Sequence, residues 1–406
     1  MLSFRYTARD PATGQYIKSN VQAENEQAAS KLISKEGLVP IDIKLSEKAA
    51  TGILSKRLNR VKTKDKVLFS RQLSTLINAG LPLVQSLRSV NNQTTSKALK
   101  VVINRVISDV EAGATLSAAM AKHAQVFNRV YISLIAAGEA SGTLDKALER
   151  LAIQQEKDAD IISKVRGAMV YPIIVVLVMV AVVVFMLVKV LPQVQTLYDG
   201  LPGAQLPIFT VVLLAISHFI IHFWWLVLAV IGFLIFVTTR WARTFGGREV
   251  IDKLKMKIWP VGPLFTKMYM ARFARTGSTL VASGVPLIQV LEITADAVNN
   301  VHVERSIKRA SEKVKSGKAL SDSLQNDPNF LILVPNMLRI GEQSGSLEQM
   351  MAKTADYYEK EVDDQIKSIS TIIEPLLMVM LGIVAFIIVA AVLLPVYNLA
   401  GQSFVQ

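Results

Sequence analysis

Few side chains in this 406-residue chain combine the types and spacing that chemistry needs. There is no cysteine, which removes thiolate ligands, Cys nucleophiles and disulfides. His218 and His222 stand four apart, the spacing that places two metal ligands on one helical face. No carboxylate or third histidine lies near them in sequence, so they read as polar side chains packed between helices or near an interface. His123 and His302 are isolated. Ser316-Gly317-Lys318-Ala319 is the nearest approach to a phosphate loop, in which the amides of a Gly-rich turn and a lysine hold the phosphates. Glu312 stands where the earlier glycine belongs and Ala319 where Ser or Thr belongs, so the segment reads as a turn between helices. No nucleophile–base pair or metal set emerges. The expectation is a non-enzyme without metal or cofactor, and any ATP-driven step needs an ATPase on another chain.

Two five-residue motifs are more specific: Gly138-Glu139-Ala140-Ser141-Gly142 and Gly341-Glu342-Gln343-Ser344-Gly345. Each lies between two helical patterns, and its glycines permit backbone conformations closed to other residues. Two readings stay open for Glu139 and Glu342: satisfying the local amides of a tight interhelical turn, or contributing to a protein–protein surface. Arg71 and Arg275 are likewise either ion-pair partners within a module or interface residues. Glu374, just before Pro375, is an ionisable residue at the mouth of an apolar stretch and so a functional suspect. A packing or interfacial role is open for it beside a coupling role. Its counterpart in the repeat described next is Tyr171, so the carboxylate is not a shared requirement.

The elements that position these residues come from a duplication. Residues 69–87 (FSRQLSTLINAGLPLVQSL) and 273–291 (FARTGSTLVASGVPLIQVL) match at ten of nineteen positions without gaps, where unrelated segments share about one or two. The matches include Arg71 with Arg275, Gly80 with Gly284 and Pro82 with Pro286. Gly80 predicts a left-handed helix cap and Pro82 the start of the next helix. The register then slips by one residue, which pairs the two Gly-Glu-x-Ser-Gly motifs, Tyr171-Pro172 with Glu374-Pro375, and Leu191-Pro192 with Leu394-Pro395. One unit is used twice: a polar helical module, then a long apolar helix. Within the first module Phe69, Leu73, Leu76 and Ile77 form one helical face, Leu99, Val102, Ile103, Val106 and Val110 another, and Leu144, Leu148, Leu151 and Ala152 a third.

Hydrophobic residues make up 51% of the chain and mean hydropathy is +0.38, which fits polar modules joined to a few membrane spans. Residues 167–188, 208–239 and 375–396 carry no charge over 22, 32 and 22 positions, where a span needs about 20. Trp224 and Trp225 fall inside the middle stretch, away from the ends where interfacial aromatics belong. The net charge of +13 is unevenly placed. There are 24 Lys/Arg in residues 1–165 and 19 in 240–370, with none in 191–209 or 394–406. That asymmetry places both modules inside, and no DNA-reading motif supports nucleic acid as the partner.

The fold expectation is therefore an all-α membrane protein with three transmembrane helices and a small N-terminal α+β unit. Residues 1–45 read as β-β-α-β: strands at 4–9 and 16–22 around a turn at 10–14, then a helix at 26–35 with Ala28, Ala29, Leu32 and Ile33 on one face. Gly37 caps that helix and a last strand covers 41–45. A basic linker follows at 46–63, in which Leu54, Leu58 and Val61 have the spacing of a surface-lying helix. Helical bundles occupy 64–166 and 240–370. Spans occupy 167–190, 208–239 and 371–396, with an outer loop at 191–207 and an outer tail at 397–406. The N-terminus is expected in the cytoplasm and the C-terminus outside.

F-x-R-x-x-S-T-L-x-x-x-G-x-P-L and G-E-x-S-G-x-L (the first of these with Gly277 in place of Leu73 in its second copy), together with the Tyr6-Thr7-Ala8-Arg9-Asp10 start, resemble the type II secretion F / type IV pilus platform family, PilC/GspF, over about residues 4–400. The long middle apolar stretch is a departure from the family pattern. The resemblance implies a multi-pass protein of the bacterial inner membrane that forms a small homo-oligomer at the base of a pilus or pseudopilus machine. It implies contact with a separate hexameric cytoplasmic ATPase, with the membrane helices of pilins or pseudopilins, and with other inner-membrane assembly proteins. The first module is expected to dock against the motor through Arg71, Arg88 and Arg105. The competing reading is a small transporter or channel, which builds its site from broken helices and midplane polar groups; the spans offer little beyond His218, His222 and Glu374.

Overall fold

A computed structural model of the chain describes residues 2–9, 16–23, 30, 32–34, 37–45, 61–199 and 208–402. In the N-terminal unit, β1 (Leu2–Arg9), β2 (Tyr16–Ala23) and β3 (Val39–Leu45) form an antiparallel sheet in the order β2-β1-β3. Pro40 on β3 pairs with Ala8, next to a register shift between Thr7 and Ala8. A proline suits an edge strand, and β3 is one. Residues 32–34 are helical, and Ile33 is fully buried with Tyr6 and Ala8. Leu32, read on the same face, is exposed instead. Gly37 at φ 77° closes this helix, with the Leu38 N–H donating to the Ile33 carbonyl at 3.3 Å. The turn read at 10–14, the first part of that helix and the linker at 46–60 lie outside the described residues.

The rest of the described chain is helical. The first repeat comprises α1 (Thr63–Asn78), α2 (Leu83–Gln93), α3 (Lys97–Glu111), α4 (Leu116–Ala121), α5 (Arg129–Ser141) and α6 (Leu144–Phe185). A π-helical turn, Met186–Val190, passes α6 into α7 (Leu191–Asp199). Then come α8 (Ile208–His222), α9 (Trp224–Trp241) and α10 (Phe245–Lys257). The second repeat repeats the six helices as α11 (Gly262–Ala282), α12 (Leu287–Val298), α13 (Val301–Lys315), α14 (Leu320–Leu324), α15 (Leu333–Ser344) and α16 (Leu347–Gln402). The faces read from periodicity are the ones that turn inward: Phe69, Leu73, Ile103, Val106, Leu148, Leu151 and Ala152 are all buried. Each of the larger of these side chains withdrawn from water contributes about 1.5–3 kcal/mol.

Four expectations about the apolar stretches need correction. First, the spans read from 167 and 371 are not separate helices, and Pro172 and Pro375 do not interrupt them. Both lie inside helices of 42 and 56 residues. A proline breaks one hydrogen bond and crowds the turn before it, yet the long apolar run that follows each proline has no backbone partner in lipid other than its own helix. Second, the middle stretch is two helices. Phe223, at φ −111° and ψ 26°, separates α8 from α9. Within the stretch read as 208–239, α9, with 18 residues, is long and apolar enough to cross a membrane, while α8 is a shorter apolar helix. The tryptophans fall at the ends of this helix, Trp224 and Trp225 opening α9 and Trp241 ending it, where interfacial aromatics belong. Third, the segment read as a loop at 191–207 begins as helix α7. Fourth, the tail read from 397 continues α16 as far as Gln402.

The apolar surface is distributed as lipid contact requires. Exposed large side chains crowd α6 beyond Met169, all of α9, and α16 beyond Ile372. Between them α8 turns Thr210, Leu214 and Ser217 inward. Leu214 joins Met186, Leu191 and Ala391 in a small cluster, and the Ser217 hydroxyl donates to the Leu187 carbonyl beside the π turn.

Candidate functional site

The two Gly-Glu-x-Ser-Gly motifs end α5 and α15 in the same way. Gly142 (φ 70°) and Gly345 (φ 67°) take the left-handed conformation that closes each helix. Gly138 lets α6 pass close by: a Cβ there would lie 2.5 Å from Ala147 Cβ. At Gly341 it would lie 2.9 Å from Leu347 Cα. Ser141 and Ser344 each return a hydroxyl hydrogen bond of 2.7 Å to the carbonyl four residues back.

The glutamates reach across the module. Glu139 Oε1 accepts the Leu116 N–H at 2.5 Å and Oε2 the Ser117 N–H at 3.1 Å, with a further bond from the Ser117 hydroxyl. Glu342 does the same with Leu320 N–H at 2.6 Å, Ser321 N–H at 3.2 Å and the Ser321 hydroxyl at 2.5 Å. A carboxylate at the first amides of a short helix satisfies donors that have no intrahelical partner and faces the positive end of the helix. The motif is a cap supplied from another helix. Of the two readings left open, the first holds in a changed form: the carboxylates satisfy amides inside the module, but those of a distant short helix and not of their own turn.

The arginines are also committed inside the protein. Arg71 donates to both carboxylate oxygens of Glu156, with Nε at 2.5 Å from Oε1. Arg275 donates from Nε to Glu359 at 2.7 Å and from its terminal nitrogen to Asp356. Glu156 and Glu359 are counterparts, so the pair is duplicated along with the motif. The Arg71 hydrogen bond holds the Glu156 carboxyl below its ordinary range. Burial works against the Arg275 charge, but the bonds to Glu359 and Asp356 outweigh it and keep the guanidinium firmly ionised.

Gly80 (φ 83°) and Gly284 (φ 78°) close α1 and α11 as expected. Pro82 and Pro286 are N-caps, not first helical residues: each carbonyl accepts the N–H four residues on at 2.9 Å. The remaining candidates are dispersed. Gly317, in the lysine-bearing turn, has φ 89°, and its counterpart Gly113 has φ 93°; both are joints between helices. His218 Nε2 lies 2.9 Å from Gln195 Oε1, and the His222 ring meets Phe223 edge-on. Glu374 is exposed on α16 and makes no hydrogen bond or ion pair among the described residues.

Missed in the sequence is a seam between the repeats. Arg150 donates to the Ala282 carbonyl at 2.5 Å, and Gln154 exchanges 3.3 Å hydrogen bonds with Thr276 and Thr279. Lys157 pairs with Glu359 at 3.3 Å, Lys164 with Asp363 at 2.7 Å and Arg129 with Asp296 at 2.8 Å. Ile161 of α6 belongs to the second repeat's core. Nearby, burial pushes the Asp158 carboxyl up, while Arg272 and the Gln154 hydrogen bond pull it down. The signal was present as the density of charges between 149 and 166, but periodicity does not say which helix they face.

The two helical bundles are copies, each running without a break into a helix long and apolar enough to cross a membrane, and the class they define is a duplicated multi-pass membrane protein. The family described as Type II secretion system (T2SS), protein F, matches residues 69–192 and 273–395, one copy per repeat, and this chain belongs to it. The chain is 37% identical to a type IV pilus assembly protein PilC from Thermus thermophilus, over 99% of both sequences. It is 33% identical to the type IV pilus assembly protein TapC of Aeromonas hydrophila, over 95% of this chain and 93% of that one. It is 30% identical to a type II secretion system protein F of Vibrio cholerae, over 98% of both. The three apolar helices fit an inner-membrane protein of that family.

Proposed function

We propose that this protein is the inner-membrane platform of a type IV pilus or type II secretion-like machine. It couples a separate, hexameric cytoplasmic ATPase to the extraction of pilins or pseudopilins and their assembly into a filament. Its bundles lie in the cytoplasm, its C-terminus outside, and it works as a homo-oligomer alongside other inner-membrane assembly proteins. The observation that carries the reading is helical continuity. α6 and α16 begin in the bundles and end in the bilayer, so displacement of a bundle moves a span. At 1.5 Å per residue they are about 63 and 84 Å long. The seam of Lys157–Glu359 and Lys164–Asp363 pairs lets the two move together.

Because Arg71, Glu139, Arg275 and Glu342 are occupied internally, partner contacts belong to exposed positions. Photoreactive residues at Val101 and Arg105 on α3, Ile332 and Ile340 at α15, and Leu177 and Phe386 on the spans test this directly in cells. Capture of the ATPase from the bundle positions and of prepilin from the span positions is expected. Recovery of neither partner from any position would overturn the reading in favour of a transporter or channel.

A further inference from the structure

We propose that α10, together with Ile258 and Trp259, lies in the headgroup zone of the bilayer beside the second span and anchors the second bundle to an anionic membrane surface. α10 begins four residues after Trp241, the last residue of α9. It carries an apolar row on the side away from the bundle, which a helix covering a soluble bundle would not. The acids face the protein: Asp252 is buried, accepting the Val301 N–H at 3.2 Å and pairing with Lys255 at 3.1 Å. Glu249 pairs with Arg305 at 2.5 Å. Met256 packs against the second repeat's core, but a second apolar row faces away. Val250, Leu254 and Ile258 stand one turn apart, and all three are exposed. Phe245 and Trp259, at 71% and 73% exposure, mark the two ends of the helix.

Lys253 and Lys257 flank that apolar row, and Arg243 precedes the helix; none of the three forms an ion pair among the described residues. An apolar row edged by unpaired cations is the pattern of a helix lying in the membrane plane, its aliphatic side chains in the acyl boundary and its lysines at the phosphates. A neighbouring cavity of about 280 Å³ repeats the mixture: Arg166, Lys255 and Arg272 line it with Leu264, Phe265 and Met268. Arg166 is the last charge before the first span's uncharged stretch, so this cavity opens at the same membrane level. Continuity with two spans and the charge pattern select lipid as the occupant of the face. Which leaflet is involved rests on the topology proposed above; it is the cytoplasmic one in that reading.

The absence of cysteine allows a direct test in the full chain. Val250→Cys, Leu254→Cys and Ile258→Cys are spin-labelled singly in nanodiscs, with Lys308→Cys as the aqueous control. Collisions with oxygen should exceed those with a water-soluble nickel chelate at the three α10 positions and fall below them at 308. All three behaving like position 308 would overturn the proposal. Spin–spin broadening that disappears on dilution with unlabelled protein would also overturn it, by showing a second copy on this face. Depth should increase when phosphatidylglycerol is added to phosphatidylcholine, and that increase should vanish in Lys253→Gln/Lys257→Gln. A depth indifferent to lipid charge would remove the anionic part of the inference. Labelling of Lys308→Cys from outside intact cells by an impermeant maleimide would refute the topology while leaving the depth result standing.

Discussion

At the scale of single residues, the duplicated glutamates make a paired comparison possible. Both cap a short helix, but α4 has a second cap of its own, the Thr115 hydroxyl 3.2 Å from the Ala118 N–H, whereas α14 follows Ala319, which has none. Glu342→Ala should therefore destabilise its bundle by about 1–3 kcal/mol, the cost of leaving buried amides unpaired. Glu139→Ala should cost less, and chemical denaturation of the purified protein followed by a probe in each bundle reads the difference. Gly138→Ala must push α5 from α6 and should cost about 1–3 kcal/mol as an overpacked contact. The Arg71–Glu156 pair gives a pH dependence with a definite sign. Because Glu156 titrates below its ordinary range when folded, its contribution is present above the ordinary carboxylate pKa and is lost as pH falls through the depressed value. Asp158 runs the other way: its raised pKa gives a contribution that is present at low pH and lost as pH rises through the folded value. Glu156→Gln should flatten the acid limb of the stability curve. The effect should stay below about 1 kcal/mol, because both partners are roughly two-fifths exposed.

At the scale of elements, what the sequence made legible was what a repeat and a period can carry. The six-helix unit, its buried faces, the glycine joints and the apolar stretches all follow from spacing that local physics fixes. Helix ends inside apolar sequence were not legible. Nothing in residues 208–239 competes with helix, so the break at Phe223 has no turn residue to announce it, and only the misplaced tryptophans hinted at it. The continuity of α6 and α16 through Pro172 and Pro375 was not legible either, because a proline would end a helix in water. Nor could spacing choose between the cap and the interface for Glu139 and Glu342; that choice depends on α4 and α14, more than twenty residues earlier. The unbroken helices carry a prediction of their own. Inserting three glycines after Arg166 should interrupt α6 between bundle and span, since each glycine costs about 0.5–1 kcal/mol within a helix. The protein should still insert and its first bundle should still crosslink to the ATPase, while filament assembly is lost. Filament assembly at the wild-type level would show that motion does not pass along α6.

At the scale of the whole molecule, the question is what makes two copies of one unit act as one body. The exposed ion pairs of the seam, Lys164–Asp363 and Arg129–Asp296, contribute little individually. Glu359 is different. Its side chain is 12% exposed and its partner Arg275 16%, against 39% and 40% for the counterpart pair Glu156 and Arg71. Duplication supplied the same pair twice, and the second copy has been drawn into the junction, where Lys157 from the other repeat reaches the same carboxylate. Removing Glu359 therefore leaves a half-buried Arg275 with only the exposed Asp356 and releases Lys157 at the same time. Breaking a buried pair from one side costs about 3–5 kcal/mol, and the partial exposure here puts the expected loss below that range but well above the loss for Glu156→Gln. Glu359→Gln should also do what the Glu156 variant does not: widen the distribution of distances between spin labels placed one in each bundle, at Arg105 and Lys308, in the otherwise cysteine-free chain. Lys164→Ala, which removes an exposed pair at the same seam, should leave that distribution narrow. Equal broadening by both variants would mean that the repeats are held together by the length of α6 against α16 and not by the charge cluster at Glu359.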